Sequence, residues 1–340
     1  MAIRPSTETA PAAACLPPAS QPKFSFEITP DRCVILSPAF SAHIKEEFKS
    51  LCSSHPRLLK TLELAPAFLS LMAPEAFDPR NQARNRYNDI LPYPPNRFKF
   101  RQDPTLYINA SIVLKGKAIS CQGPKTNEFK RFWRMVWEFD ARAVVMATDF
   151  VEGNAQKCDR YFPSKDGESL LDASPEELPI EQDIRVVKTE GPELPIDGMP
   201  AKPSIVLRKI LLQKGSEKKI IEHLSITGWR DNEAANESLV AEAVRLGIGK
   251  RIVAHCSAGI GRTGVFLAIK EALEQFQQGL PVTPDFILGI LKSLRSQEQG
   301  RNGMVQTVAQ YELIFKTLIL LDENFGKELC QVLNRSVNHL

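Results

Sequence analysis

The sequence His255-Cys-Ser-Ala-Gly-Ile-Gly-Arg-Thr-Gly264 decides the fold of this chain. The residues before it, 251–254 (Arg-Ile-Val-Ala), predict a short buried strand, and residues 265–276 place apolar side chains on one helical face and predict a helix. The N–H groups of a glycine-rich loop and of a helix N-terminus converge and bind anions. The order strand, loop, helix therefore predicts an anion-binding cradle with a cysteine at its start and an arginine at its end.

Three kinds of phosphate chemistry compete for this loop. Residues 259–264 match the G-x-G-x-x-G pattern of dinucleotide sites, which also requires an acidic residue ending a second strand about 20 residues on. The acidic residue found there, Asp285, follows a Thr-Pro pair and marks the start of a helix instead. A Walker-type loop fails because Arg262 stands where lysine is needed and the glycine spacing differs. The third reading, a Cys256 thiolate beneath a phosphate-shaped nest that ends in Arg262, explains the most residues.

Composition argues against several other classes of function. The chain has 340 residues, 43% hydrophobic and 24% charged, and its net charge of +3 is too small to indicate nucleic acid binding. No apolar run approaches the ~20 residues of a membrane span, so none is predicted. The seven cysteines are scattered and form no C-x-x-C pair, which argues against zinc and disulfides and favours a reducing compartment. No metal or other cofactor is expected.

Residues 1–23 are predicted to be a disordered leader, and residues 24–340 one folded domain. Half of residues 1–22 are alanine or proline, and only two of these 22 residues are charged. The leader lacks the apolar core of a signal peptide, so a cytoplasmic protein is expected. Its composition is also compatible with the export signal of a bacterial effector that is delivered into host-cell cytosol, which is the alternative localisation.

Hydrophobic periodicity predicts an α/β fold, a mixed sheet with helices on both faces. The predicted strands are 24–28, 106–113, 143–147 and, at a sheet edge, 184–187. A hairpin is predicted around Gly215 from strands 204–212 and 219–227. The predicted helices are 129–140, 238–248, 285–295 and 305–322. One further helix is predicted from a core-facing stripe of Ile44, Phe48, Leu51 and Cys52.

Several motifs occur in the order typical of the classical protein tyrosine phosphatases, and this chain resembles that family. The matching segments are 85–93 (phosphotyrosine-recognition loop), 122–124 and 132–137 (core helix), 229–231 (mobile acid loop), 255–264 (signature loop) and 303–311 (glutamine loop). The likeness runs from about residue 30 to residue 325. It implies the cysteine phosphatase fold, with a central, highly twisted mixed β-sheet, and it identifies residues 24–340 as the catalytic domain.

The resemblance implies hydrolysis of phosphotyrosine in proteins through a cysteinyl-phosphate. Cys256 would be the nucleophile, Arg262 would bind the phosphate, and Asp231 would be the general acid and then the base. These residue types suit the chemistry. Phosphotyrosine carries a charge of about −2, which the planar fork of an arginine can grip. A helix N-terminus and nearby cations favour the attacking thiolate. The tyrosyl leaving group, with a pKa of ~10, benefits from a proton.

The resemblance also assigns supporting roles around the phosphate. They are His255 (orienting the loop), Thr263 (bonding the departing thiolate), Gln306 and Gln310 (positioning water), Tyr87 (flanking the phenyl ring), Asp89 (accepting peptide N–H groups), Ser257, Ala258, Gly259, Ile260 and Gly261 (binding phosphate), Glu152 (fixing Arg262) and Trp229 (acid loop). The implied partners are phosphotyrosine-containing proteins, and no oligomer is implied. A lipid phosphatase is disfavoured, because residues 257–261 contain no basic side chain.

The chain departs from the family pattern mainly in its acid loop. Arg230 replaces the usual proline, and residues 232–236 lack the glycine and proline usually found there. Proline restricts the open states of a loop, so loop closure is expected to be altered, although Asp231 is still predicted to serve. Residues 296–301 carry about three extra residues beside the glutamine loop. The alternative function is therefore a catalytically weak pseudophosphatase that binds phosphotyrosine peptides as a module.

Overall fold

The computed structural model describes residues 23–54, 74–163, 184–192, 194, 202–231 and 236–338. The strands are β1 (Phe26–Ile28), β2 (Val34–Leu36), β3 (Ala110–Val113), β4 (Ala118–Cys121), β5 (Ala143–Met146), β6 (Val151–Glu152), β7 (Ala155–Gln156), β8 (Arg185–Glu190), β9 (Ser204–Lys214), β10 (Glu217–Thr227) and β11 (Ile252–His255). The helices are α1 (Pro38–Ser54), α2 (Pro74–Phe77), α3 (Pro79–Gln82), α4 (Phe129–Glu138), α5 (Glu237–Gly247), α6 (Gly261–Gln277), α7 (Phe286–Arg295), α8 (Val308–Leu321) and α9 (Glu323–Asn338).

The predicted leader lies outside the described residues apart from Lys23, so the two domain boundaries stay predictions. Within the described ranges, no helix combines the length and the hydrophobicity needed to cross a bilayer.

Seven strands form one mixed sheet in the order β3-β4-β11-β5-β10-β9-β8. The neighbours β4, β11, β5 and β10 run parallel, whereas β3, β9 and β8 add antiparallel pairs at the two sides. The carboxyl ends of parallel strands meet at one edge of a sheet, which is where open α/β proteins bind ligands. The segments that follow Cys121, Met146, Thr227 and His255 therefore all begin at the same edge.

The side chains of β11 alternate between two hydrophobic cores. Ile252 and Ala254 face the larger core, to which α1 and α5–α9 contribute, whereas Val253 faces the smaller core under α4. β5 alternates in the same way, with Val145 in the larger core and Val144 in the smaller one. The predicted fold class is confirmed: a mixed sheet has helices on both faces.

Most predicted elements are present, with differences at their ends. The hairpin pairs over its full length, from Ser204 opposite Thr227 to Lys214 opposite Glu217. The strand predicted over 106–113 is shorter, because its pairing with β4 begins at Ala110. Two elements were not predicted from the sequence: β4, which is only four residues long, and α9. The α9 signal is nonetheless present, since its buried residues Phe325, Leu329 and Leu333 recur at helical spacing.

The prediction that Cys52 faces the core is wrong, because its side chain is exposed. The other members of its stripe, Ile44, Phe48 and Leu51, are buried as predicted, together with Phe40. At 3.6 residues per turn, positions 40, 44, 48 and 51 form one line along the helix. Position 52 lies at the edge of that line, and α1 ends two residues later.

We expect Phe266→Ala to lower the free energy of unfolding by about 3–5 kcal/mol, because it leaves a cavity in a close-packed core. Phe266 is 0% exposed in the middle of α6. Its ring packs so closely on Gly247 of α5 that a Cβ there would lie 2.9 Å from it. Urea unfolding measures the loss. The control is Ile220→Ala on β10, where the side chain is 62% exposed and the expected change is within about 0.5 kcal/mol. Equal losses for the two variants would contradict the packing.

Candidate active site

Cys256 is the first residue after β11, and its side chain is 2% exposed. The chain turns at once, and the N–H of Gly259 donates to the Cys256 sulfur at 3.3 Å. Gly259 has a φ of +76°, and a Cβ there would lie 2.1 Å from the Cys121 carbonyl oxygen. Only glycine fits this position. The Ser120 hydroxyl, on β4, donates to the Gly259 carbonyl at 2.7 Å and so restrains the turn.

Arg262, in the first turn of α6, is fully buried. Its Nη1 donates to a carboxylate oxygen of Glu152 and, at 2.6 Å, to the Trp229 carbonyl. Its Nε and Nη2 have no hydrogen-bond partner among the described residues. Burial alone would lower the pKa of Arg262, but the negative charges of Cys256, Glu152 and Asp231 outweigh it and raise that pKa. A buried guanidinium that keeps two nitrogens unpartnered is suited to binding an oxyanion.

Glu152, on β6, joins the signature loop to the acid loop. One carboxylate oxygen accepts from Arg262 and, at 3.1 Å, from the Thr148 hydroxyl. The other accepts the backbone N–H of Asp231 at 3.2 Å. The structure therefore places Glu152 where the resemblance requires it, against the arginine.

Asp231 lies at the mouth of the site, with its side chain 29% exposed. One oxygen is 3.5 Å from Arg262 Nη2, and the other accepts from Lys157 Nζ at 3.1 Å. Burial would lower the pKa of Lys157, but the hydrogen bond and the charge of Asp231 outweigh it and raise that pKa. Lys157 was not predicted as a site residue, because Asp231 is 74 positions away and no local sequence pattern links residues that far apart. Trp229 is buried, and Arg230 is exposed.

Tyr87 lies beside the loop, and its hydroxyl is 2.8 Å from the Ser257 hydroxyl. Ser257 in turn donates to the Lys157 carbonyl at 3.0 Å. Asp89, two residues along the same loop, is partly exposed. Arg86 holds the recognition loop (residues 85–93) in place, and it was not predicted as a site residue. Arg86 donates to the carbonyls of Gly123 at 3.1 Å and Pro124 at 2.9 Å.

Gln306 and Gln310 meet the signature loop at Gly261. A Cβ on Gly261 would lie 2.3 Å from the Gln306 amide oxygen and 3.1 Å from the Gln310 amide nitrogen. The Gln310 oxygen accepts the Gln306 backbone N–H at 2.7 Å. Buried polar atoms with no hydrogen-bond partner among the described residues include the Gln310 amide nitrogen and the Thr263 hydroxyl. Both predicted glutamines therefore reach the site, while Ala258 and Ile260 contribute only as part of the loop.

His255 lies beside Cys256 and is held in a buried hydrogen-bond chain. Burial lowers its pKa to about 3, so its imidazole is neutral and has one donor and one acceptor nitrogen. The Cys256 carbonyl, 3.2 Å from Nδ1, can only accept. Nε2 must therefore accept from the Tyr161 hydroxyl at 2.7 Å, and that oxygen must accept from His223 Nε2 at 2.6 Å. Both ring nitrogens of His255 are thus engaged, and one of them restrains the backbone of Cys256.

Structural comparison shows a known fold. The chain is similar to the catalytic domain of human protein tyrosine phosphatase non-receptor type 18, with a TM-score of 0.60 and 24% identity over 84% of this chain and 96% of that one. It is also similar to PTPN18 in complex with HER2 phosphopeptides, with a TM-score of 0.61 and 24% identity over 82% of this chain and 93% of that one.

Sequence comparison shows the family. Residues 81–320 match the model of the protein-tyrosine phosphatases, and the chain belongs to this family. It is 31% identical over 302 residues to human receptor-type tyrosine-protein phosphatase zeta, covering 82% of this chain and 12% of that protein. It is 32% identical over 274 residues to human tyrosine-protein phosphatase non-receptor type 7, covering 74% of this chain and 68% of that protein. The alignment to the receptor-type relative thus spans a small part of that protein's length.

We expect the stability difference between wild type and His255→Asn to narrow by about 2 kcal/mol between pH 7 and pH 5. The pKa of His255 is about 3 in the folded protein and about 6.5 when unfolded. Below the unfolded value, the unfolded wild type binds a proton that the folded protein does not, so the free energy of unfolding falls. The Asn variant lacks this proton site. Urea unfolding at both pH values measures the gap. His43→Asn is the control, because that ring is only half-buried and should give a smaller effect. If the difference in free energy of unfolding between wild type and His255→Asn is the same at both pH values, the buried imidazole is not neutral.

Proposed function

We propose that this chain hydrolyses phosphotyrosine in proteins through a cysteinyl-phosphate intermediate. One observation carries the proposal: the buried Cys256 thiol and buried Arg262 stand at opposite ends of one glycine-rich loop, and Nε and Nη2 of Arg262 have no hydrogen-bond partner among the described residues. Nη2 also lies 3.5 Å from an Asp231 carboxylate oxygen. A buried cation with donors that make no hydrogen bond calls for an anion. A thiol at the start of the same loop supplies a nucleophile for that anion. Family membership supports the same activity.

Binding of the phosphate rests on Arg262 and the loop amides. Nε and Nη2 would each donate to a phosphate oxygen, and hydrogen bonds to charged groups contribute about 1.5–3 kcal/mol each. Glu152 and the Trp229 carbonyl already hold Nη1, so the guanidinium is oriented before substrate arrives. Little reorganisation is then needed as the phosphorus becomes five-coordinate.

In the first chemical step, Cys256 Sγ would attack phosphorus. The S–P bond forms, the bond from phosphorus to the tyrosyl oxygen breaks, and that oxygen takes a proton from Asp231. The contacts of Asp231 with Lys157 and Arg262 hold its carboxyl group at the mouth of the site. General acid catalysis of this kind is worth about 10²- to 10⁴-fold.

In the second step, water would attack the cysteinyl-phosphate. Asp231, now ionised, takes a proton from the water, the S–P bond breaks, and inorganic phosphate leaves. Gln306 and Gln310 lie against Gly261, and the Gln310 amide nitrogen has no hydrogen-bond partner among the described residues, so this pair would position the water. The Thr263 hydroxyl, likewise buried without a hydrogen-bond partner in the described part of the chain, would donate to the departing thiolate.

Selection of phosphotyrosine would depend on Tyr87 and Asp89. The Tyr87 hydroxyl bonds to Ser257 of the loop, which places the ring as a wall beside the phosphate site. A long aryl phosphate can reach past such a wall more easily than a phosphoserine. Asp89 is partly exposed on the same loop and would accept peptide N–H groups. The similarity to PTPN18, solved with HER2 phosphopeptides, supports phosphotyrosine proteins as partners. The compartment, cytoplasmic or host cytosol, stays a prediction.

A phosphotyrosine-binding module with little turnover is the second candidate. The observation that favours it is Arg230, which is exposed where the family usually has proline. An acid loop without this restriction closes less often, so the acid could arrive too rarely for catalysis.

Cys256→Ser separates these two functions. Wild type is expected to release phosphate from a phosphotyrosine peptide at least about 10³-fold faster than the variant, because a hydroxyl is a far weaker nucleophile in this site. The variant should still bind the peptide. Phosphate release is measured with a phosphoserine peptide as the substrate control. Wild type that binds the peptide without exceeding the variant's turnover would establish the binding module instead.

Asp231→Asn tests the acid. The rate of leaving-group release in a single turnover reports the acid role alone, because it precedes the hydrolysis step in which Asp231 acts as the base. With a phosphotyrosine peptide this rate is expected to fall about 10²- to 10³-fold, because the amide cannot protonate the leaving oxygen. With a fluorinated methylumbelliferyl phosphate, whose leaving group needs no proton, the rate should fall far less. The matched control, Asp89→Asn, should raise KM for the peptide and leave the single-turnover rate at saturating peptide nearly unchanged. Equal losses of this rate on both substrates for Asp231→Asn would assign the acid to another residue.

A further inference from the structure

The acid loop leaves the sheet through a constrained glycine. Gly228, directly after β10, has a φ of +75°, and a Cβ there would lie 2.8 Å from the Cα of Pro203. Its backbone N–H donates to a carboxylate oxygen of Asp149 at 2.9 Å. Asp149 lies in the segment after the neighbouring strand β5 and is 5% exposed. No sequence motif assigns a role to Asp149.

Two carboxylates from one segment thus hold the two ends of residues 228–231. Asp149 accepts the N–H of Gly228, and Glu152 accepts the N–H of Asp231. Arg230, between these two ends, is exposed. The backbone on both sides of the arginine is therefore fixed by hydrogen bonds to acids that are themselves anchored next to β5.

The Asp149 contact is a charged one at neutral pH. Burial raises the pKa of Asp149 to about 6, against the opposing effect of the Gly228 hydrogen bond, so the carboxylate is ionised at pH 7. A hydrogen bond to an ionised acceptor is roughly twice as strong as a neutral one. If this acceptor is removed, the part-buried Gly228 N–H loses its hydrogen-bond partner, which costs free energy in this loop conformation alone.

We propose that Asp149 is a positioning residue for the general acid. It holds Gly228 so that the following turn delivers Asp231 to the leaving oxygen, in a loop whose sequence lacks a proline to restrict it. This inference rests on the proposed phosphatase function. Among the described residues Asp149 makes no hydrogen bond to Cys256 or Arg262, although its carboxylate interacts electrostatically with Arg262 and Glu152. Its positioning effect is exerted on Asp231 through Gly228.

A leaving-group comparison tests the role. Asp149→Ala is expected to lower the single-turnover rate of leaving-group release about tenfold with a phosphotyrosine peptide, which needs the acid, and less than twofold with a fluorinated methylumbelliferyl phosphate, which does not. Asp149→Asn keeps an oxygen acceptor without the charge, so its loss on the peptide should be about threefold, with none on the fluorinated substrate. A residue with a merely structural role would lower both activities together.

The matched control is Asp140→Asn, which removes a half-exposed carboxylate before the other end of β5 and should change neither activity. Melting temperatures show whether each variant folds. If Asp149→Ala does not fold, Asp149→Asn decides by the same comparison. Equal losses on both substrates, or no loss on the peptide, overturn the inference. Wild type that turns over neither substrate overturns the proposed function instead, so the two failures are distinguishable.

Discussion

The burial of Arg262 is the constraint on which the rest of the site depends. Removing a guanidinium from water is costly unless it is paired and hydrogen-bonded. Glu152 and the Trp229 carbonyl meet that requirement on Nη1, Asp231 lies 3.5 Å from Nη2, and Nε makes no hydrogen bond to the described residues. The pairing also fixes geometry, since Glu152 binds the backbone of Asp231 as well. One buried charge therefore joins the signature loop, β6 and the acid loop, and each segment is held in place by the other two.

The parallel strands make this meeting possible. β4, β11, β5 and β10 end at one sheet edge, and the loops that leave them carry, in that order, residues 122–124, Cys256, the Asp149–Glu152 segment and the acid loop. Groups far apart in sequence are thereby brought within hydrogen-bond distance on a rigid support. The contact of Lys157 with Asp231 and that of Tyr87 with Ser257 both depend on this convergence.

The two sides of Cys256 differ in electrostatic character. In front of it, charged pairs dominate: Arg262 with Glu152, and Asp231 with Lys157. Behind it, the buried chain from His255 through Tyr161 to His223 is neutral, because burial lowers the pKa of both imidazoles. The neutral chain holds the Cys256 carbonyl through His255 Nδ1 without placing a charged side chain behind the sulfur.

The sequence by itself determined the strand-loop-helix unit around Cys256, the α/β class and the identity of the residues in each motif. These are local properties: hydrophobic period, glycine positions and the spacing of cysteine and arginine are all read within about ten residues. It did not reveal β4, the contact of Lys157 with Asp231, or the hold of Asp149 on Gly228. Those contacts join segments 70 or more positions apart, and no periodicity encodes them. Only the tertiary structure, by bringing four strand ends to one edge, decided that Lys157 pairs with Asp231 and that Asp149 holds the start of the acid loop.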